Sequence, residues 1–119
     1  MLIRIDPTRD EPVFGQIAAS VRSEIFAGRV AAGERLPAAK QIAASLGVNQ
    51  HTVLHAYQLL RDEGLVDMRP GRGAVVTAVA HGAAALSDDI RALVDKATAA
   101  GITPEMLANL VRDSHHGAR

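Results

Sequence analysis

Residues 45–65, SLGVNQHTVLHAYQLLRDEGL, decide the fold because they join a glycine turn to an amphipathic helix. Gly47 can take a positive φ at no steric cost, and Asn49 is a favourable N-cap. From Gln50 to about Glu63, apolar residues recur with a helical period. The buried side is predicted to consist of Val53, Ala56, Tyr57 and Leu60. The opposite face is polar, with His51, His55, Gln58 and Asp62.

The residues before this stretch predict two further helices. A short helix over residues 38–46, followed by the link that contains Gly47, completes a helix-turn-helix pattern. Another helix opens at Pro12 and ends near Gly28. Its predicted buried stripe is Phe14, Ile17, Ala18, Val21 and Ile25. Three polar residues lie off that stripe, namely Gln16, Ser20 and Arg22, and residues 2–6 read as a short extended segment.

The residues after this stretch predict a β-hairpin and a helical tail. Two β-prone runs, LVDM and AVVTAV, flank the turn-forming sequence RPGRG, which places Arg69 and Arg72 at the hairpin tip. The bland segment HGAAA, residues 81–85, is predicted to be a linker. Helices then start near Ser87 and Pro104, each with an apolar stripe. The fold class is therefore mainly α with a small β-hairpin, a winged helix-turn-helix followed by a two-helix tail.

The tail is too short to form a core of its own. It must therefore pack on the winged helix, on a second copy of the chain, or on both, and we divide the chain into a winged helix, residues 1–80, and a C-terminal two-helix segment, residues 81–119. If the tail packs on a second copy, the residues predicted to form the dimer contact are Ile90, Leu93, Val94, Ala97, Met106, Leu107 and Leu110. A small-molecule effector stays open as a further partner, since a pocket lined by some of these residues would be apolar.

Composition excludes several classes of protein. The 119 residues include no cysteine, which removes disulfides and thiolate chemistry. No signal peptide or apolar run of membrane-spanning length occurs, so a cytoplasmic protein without a membrane partner is expected. The 13 Lys and Arg balance the 13 Asp and Glu. Because the net charge gives no sign of nucleic-acid binding, any prediction of such binding depends on the local pattern of residues.

Residues 12–76 as a whole resemble the N-terminal DNA-binding domain of GntR-type bacterial transcription regulators. The resemblance rests on IFAGRV, AAGERLP, KQIAASLGVN, TVLHAYQLLRDEGL and RPGRG, which stand in this order. The short C-terminal part is similar to the YtrA-like subfamily, whose two-helix tail mediates dimerisation. The resemblance implies a homodimeric regulator of transcription, with residues 1–80 as its winged helix-turn-helix DNA-binding domain and residues 81–119 as its dimerisation segment.

The resemblance also implies roles for individual residues. Lys40 would contact phosphate; Asn49, Gln50, His51 and Thr52 would face the major groove; and Arg69, Arg72 and Gly73 would meet the minor groove or its backbone. Arg35 and His55 complete the presumed DNA side. The sequence departs from many relatives at Ala38, where Ser caps the helix, and near Gln50 and Leu54, where Arg is common.

These residues bear on three possible functions. The leading hypothesis is a sequence-specific DNA-binding repressor that acts as a homodimer on an inverted repeat of double-stranded DNA. The alternative is a winged-helix protein-interaction module that does not bind DNA. An enzyme is not expected, because no nucleophile–base pair or phosphate loop is present. Neither a cofactor nor a metal is expected, since His51 and His55 lack the Glu of the metalloprotease helix signature.

Overall fold

The computed structural model describes residues 1–117, which form a mainly helical chain with one antiparallel hairpin, as predicted. The chain divides into two compact units, the first Met1–Ala85 and the second beginning at Leu86. The elements in chain order are α1 (Val13–Phe26), α2 (Ala39–Leu46), α3 (Gln50–Asp62), β1 (Val66–Arg69), β2 (Gly73–Val76), α4 (Val79–Ala85), α5 (Ser87–Ala99) and α6 (Pro104–Gly117). None of the helices within residues 1–117 is both long enough and apolar enough to cross a bilayer.

The turn between α2 and α3 has the predicted geometry. Gly47 ends α2 with a φ of 69°. Asn49 caps α3, its Oδ1 accepting a hydrogen bond of 2.8 Å from the backbone N–H of His51. The predicted inner face of α3 is confirmed, because all four of its apolar residues are buried in the core.

The buried stripe of α1 is confirmed for Ile17, Ala18, Val21 and Ile25, while Phe14 is half-buried. The placement of Gln16 on the outer side is wrong, because this side chain is only 3% exposed. The amide of Gln16 hydrogen-bonds to the backbone of Asp6, accepting its N–H at 2.6 Å and donating to its carbonyl at 2.9 Å. Burial costs little here because both polar ends of the side chain are satisfied.

The extended N-terminal segment is held along α1 by side chains rather than by a neighbouring strand. Ser20 exchanges hydrogen bonds with the backbone of Arg4, and the buried Glu24 accepts the N–H of Leu2 at 2.8 Å. Together with Gln16, these side chains recur every four residues and so share one face of α1. The Leu2 N–H and then the Arg29 guanidinium lower the pKa of Glu24 below its usual value.

The hairpin carries a third backbone segment on its edge. In the hairpin itself, Val66 pairs with Val76 and Arg69 with Gly73. The N–H of Leu36 donates to the carbonyl of Ala74 at 2.8 Å, and Arg35 forms a bridge with Val75. The sequence pattern did not predict this pairing. The pairing fixes the position of Arg35 beside β2.

The predicted linker at residues 81–85 is wrong, since these residues belong to α4. α4 contacts α1, and Ala80 is buried in the common core. Alanine has the highest helix propensity of the residues. A segment of small side chains can therefore form a packed helix without showing an apolar stripe.

The second unit leaves an apolar surface uncovered. Thr103 caps α6, its hydroxyl accepting the N–H of Met106 at 3.2 Å. Among the residues predicted to mediate dimerisation, Ala97 is buried and Leu107 half-buried. The other predicted residues are exposed, namely Ile90, Leu93, Val94, Met106 and Leu110. Two neighbouring apolar residues, Leu86 and Val111, are exposed as well. Their part in dimerisation stays a prediction.

Tyr57 gives the fold an optical probe, because it is the only tyrosine and the chain has no tryptophan. Its hydroxyl donates to the Pro37 carbonyl at 2.7 Å, and burial raises its pKa from 10.0 to about 12. We expect tyrosinate absorbance to rise near pH 12 in the folded protein and near pH 10 in urea. Since the folded state holds this proton longer, stability should fall as the pH climbs from 10 towards 12.

Tyr57→Phe should abolish the absorbance change and serves as the control. A transition near pH 10 in protein that circular dichroism shows to be folded would contradict the assignment.

Candidate nucleic-acid interface

A cleft of about 640 Å³ lies between the first turn of α2, the start of α3 and the tip of the hairpin. Residues 35–41, Gln50, Leu54, Tyr57 and residues 71–74 line it. We call this surface the wing cleft. It joins the helix-turn-helix and the wing, the parts that sequence analysis assigned to DNA.

The wing cleft is cationic although the chain as a whole is neutral. Arg35, Lys40 and Arg72 line it, and no Asp or Glu does. Within residues 1–117 none of these cations forms an ion pair. Unpaired cations near phosphate determine affinity for DNA, whereas total charge does not. The surface is therefore suited to a polyanion.

Each cation is placed by local chain geometry. Arg35 belongs to the segment paired with β2, and Lys40 lies in the first turn of α2. Arg72 closes a tight turn in which its N–H donates to the Arg69 carbonyl at 3.0 Å. Pro and Gly occupy the central positions of that turn, and the φ of Gly71 is 75°. Proline fixes the first position and glycine supplies the positive φ of the second.

The backbone of α2 adds further donors to the wing cleft. Ala38 precedes the helix and offers no side-chain cap, as its chemistry predicted. The N–H groups of residues 39–41 therefore keep no side-chain acceptor at the N-terminal, positive end of the helix dipole. Helix N-termini of this kind accept phosphate readily. The hydrogen bond from Tyr57 to Pro37 holds the segment before α2 against α3.

A larger groove of about 1150 Å³ runs between the N-terminal segment and α1, but its charges are mixed. There Arg9 pairs with Glu11 at 3.2 Å, and Arg29 pairs with the buried Glu24. Arg4 also lines this groove and forms no ion pair within residues 1–117, but Glu11 and Glu24 line the same groove, so a phosphate there would meet negative charge. Size alone therefore does not identify the anion-binding surface.

The structure gathers half of the residues predicted to bind DNA into the wing cleft. These are Arg35, Lys40, Gln50, Arg72 and Gly73. Arg69 lies outside it, where its guanidinium stands 3.4 Å from the carboxylate of Asp67. Both Arg69 and Asp67 are exposed, so this pair is weak. Arg72 also borders the depression that contains Arg69, and so stands between the two surfaces.

The remaining predicted residues surround the start of α3 without lining the wing cleft. Asn49 uses its carboxamide oxygen as the helix cap, His51 is exposed and Thr52 is half-buried. His55 stacks on Phe14 with ring centroids 3.8 Å apart and planes inclined by 14°. This stacking ties the outer face of α3 to α1. The described part of the chain holds no cluster of three or more His, Cys, Asp or Glu suited to a metal ion.

Gln41 and Leu54 are among the residues of the wing cleft that sequence analysis did not assign to DNA contact. Gln41 follows Lys40 in the first turn of α2, and Leu54 lies one turn after Gln50 in α3. One signal was available: no Asp or Glu occurs between Glu34 and Asp62. A long stretch without acids on both helices indicates a surface that meets negative charge.

Comparison with known proteins agrees with this architecture. Residues 14–76 match the family model for bacterial regulatory proteins of the gntR family. The HTH-type transcriptional repressor YtrA of Bacillus subtilis is 26% identical over 118 residues, covering 94% of this chain and 91% of that protein. The HTH-type transcriptional regulator Rv1152 of Mycobacterium tuberculosis is 31% identical over 101 residues, covering 85% and 84%.

A solved structure extends the likeness to three dimensions. YtrA from Sulfolobus acidocaldarius, a GntR-family transcription factor, aligns with a TM-score of 0.62 and 31% identity, covering 83% of this chain and 99% of that chain. A transcriptional regulator from Oenococcus oeni shares the fold at a TM-score of 0.60 and 21% identity, covering 94% and 98%. The named relatives are regulators rather than enzymes. The chain therefore belongs to the gntR family of bacterial regulatory proteins, and its relatives there include the YtrA repressor of Bacillus subtilis.

Proposed function

We propose that this regulator is a repressor that binds double-stranded DNA as a homodimer, at an operator made of two inverted half-sites. The observation that carries the proposal is the charge of the wing cleft. Arg35, Lys40 and Arg72 gather there without a carboxylate and without ion-pair partners in the described chain. Family membership and the names of the relatives support the same assignment.

In this proposal, phosphate contacts position the protein and α3 reads the bases. Gln50 is the first residue of α3 and is exposed, so its carboxamide can reach a base edge in the major groove. Gln typically makes paired hydrogen bonds to adenine N6 and N7. The wing and the first turn of α2 follow the sugar–phosphate backbone on either side. Affinity would then come from the cations and selectivity from α3.

Dimerisation is proposed through the tail. Leu93 and Leu110 are 43% and 48% exposed, and both belong to the apolar surface of α5 and α6. A soluble protein rarely leaves contiguous apolar area uncovered. A second copy of the same surface would bury it around a two-fold axis. The apolar side chains are thus assigned to a partner protomer rather than to a small-molecule effector.

A two-fold dimer restricts the operator. Half-sites contacted from one side of the duplex lie about one helical turn, ~34 Å, apart. Occupying a promoter in this way would block transcription directly, and this is the simplest route to repression. A regulator of the bacterial chromosome acts in the cytoplasm.

Selection of bound duplexes from a random pool tests the proposal. We expect an inverted repeat with half-sites one turn apart, and scrambling one half-site should weaken binding strongly because the two contacts act together. Affinity should fall steeply between about 50 and 200 mM salt, since phosphate contacts release counterions. A protein that enriches no duplex at low salt would instead be an interaction module, and the proposed function would be wrong.

A further inference from the structure

α3 contributes Gln50, Leu54 and Tyr57 to the wing cleft, and Leu54 is the aliphatic residue among them. Gln50 and Leu54 are four positions apart and therefore share one face of the helix. Leu54 is half-buried: its inner side packs against the core, while the rest of the side chain lines the cleft. The neighbouring cleft residues Lys40 and Arg72 are cations suited to the DNA backbone.

We propose that Leu54 reads thymine by contacting its C5-methyl group. The inference rests on the proposed DNA-binding function and adds a chemical preference to it. In the major groove the methyl of thymine is the one apolar feature that a base presents, and apolar side chains recognise it by contact. The leucine side chain has no donor or acceptor with which to hydrogen-bond guanine or cytosine.

The spacing along α3 agrees with this assignment. Four residues of helix advance by about 6 Å, which is comparable to the distance between a base pair and its next-but-one neighbour. Gln50, at the N-terminal end, and Leu54, one turn later, can therefore address nearby base pairs of the same half-site. With Gln50 suited to adenine and Leu54 suited to thymine, the half-site should contain A·T pairs within this short span.

Replacing thymidine with deoxyuridine tests the contact, because it removes the methyl group and leaves base pairing unchanged. The probe is the duplex recovered from the random pool, with each thymidine of both half-sites replaced in turn. For the unaltered protein, one replacement should weaken binding by roughly tenfold when made in both half-sites, as expected for two lost methyl contacts. In Leu54→Ala the same replacement should change affinity by less than about twofold.

Two further variants make the result specific. Leu59→Ala removes an equally half-buried leucine from α3 outside the wing cleft, and it should keep the full uracil penalty. Leu54→Met retains an apolar side chain of similar volume, so this variant should also show the full loss of affinity when thymine is replaced with uracil. Because the measured quantity is a ratio of two duplexes on one protein preparation, a change in folded fraction cancels.

The results separate the inference from the function on which it rests. If the protein selects an operator but no thymine-to-uracil replacement matters, or the penalty survives in Leu54→Ala, the methyl contact is refuted and DNA binding stands. A half-site without thymine within the span addressed by α3 refutes it equally. If no duplex is bound at all, the proposed function and this inference both fail.

Discussion

A chain in which Arg35, Lys40 and Arg72 are all replaced with Gln is expected to lose at least about a thousandfold in affinity for its operator. In a dimer these changes remove six cations that face phosphate. The slope of log affinity against log salt should become shallower by about 5, at 0.9 for each contact. Fluorescence anisotropy with labelled operator over a series of salt concentrations measures both quantities.

The same variant should fold normally. None of the substituted side chains is in an ion pair within residues 1–117, and all are exposed. The control carries Gln at Arg4, Lys96 and Arg112, which removes the same charge from exposed sites outside the wing cleft that likewise form no ion pair within residues 1–117. If both triple variants lose affinity equally, total charge rather than the cleft would explain binding.

Leu93→Glu combined with Leu110→Glu is expected to convert the proposed dimer to a monomer and to weaken operator binding by about a hundredfold or more. Each substitution would place a charge in an apolar contact between protomers, where it has no partner. A monomer engages one half-site at a time and loses the gain from linking two sites. Sedimentation velocity gives the oligomeric state, and anisotropy on the same samples gives the affinity.

The matched control is Ala92→Glu with Ala108→Glu, which adds the same charge to exposed positions outside the predicted stripes of α5 and α6. It should remain dimeric and bind normally. Since the two leucines are already exposed in the single chain, their replacement should not unfold it. A leucine variant that is still a dimer would show that the protomers pair through another surface.

Features with a local cause could be predicted from the sequence. The turn at Gly47, the cap at Asn49 and the hairpin turn around Gly71 each depend on residues that are neighbours in the chain. The preference of Gly for a positive φ and of Asn for a helix N-cap depends on the local backbone, and so it does not require the rest of the fold. The order of helices and strands in the winged helix followed from those signals.

Features with a distant cause could not be predicted in this way. Gln16 is buried because the backbone of Asp6 reaches its amide, and a helical period alone places a polar residue outside. α4 has no alternation of polar and apolar residues, so its packing on α1 left no pattern to detect. In both cases the partner is identified only once the chain has folded.

The candidate site shows the same division. Arg69 and Arg72 are equivalent in sequence as residues of the hairpin tip, but strand geometry separates them. Arg69 lies in β1 two residues after Asp67, and such residues point to the same face of a strand. Arg72 lies in the turn and reaches the wing cleft. Arg35 reaches the wing cleft because its segment pairs with β2, an interaction that no local sequence motif predicted.

All residues that line the wing cleft fall between Arg35 and Ala74, whereas the apolar side chains assigned to dimerisation begin at Ile90. Substitutions in the wing cleft could thus change which operator the protein prefers without changing which protomer it pairs with. After a gene duplication, two copies with diverged clefts and identical tails would still co-assemble. The resulting heterodimers would recognise asymmetric operators, so new regulatory targets and cross-talk between paralogues would arise together.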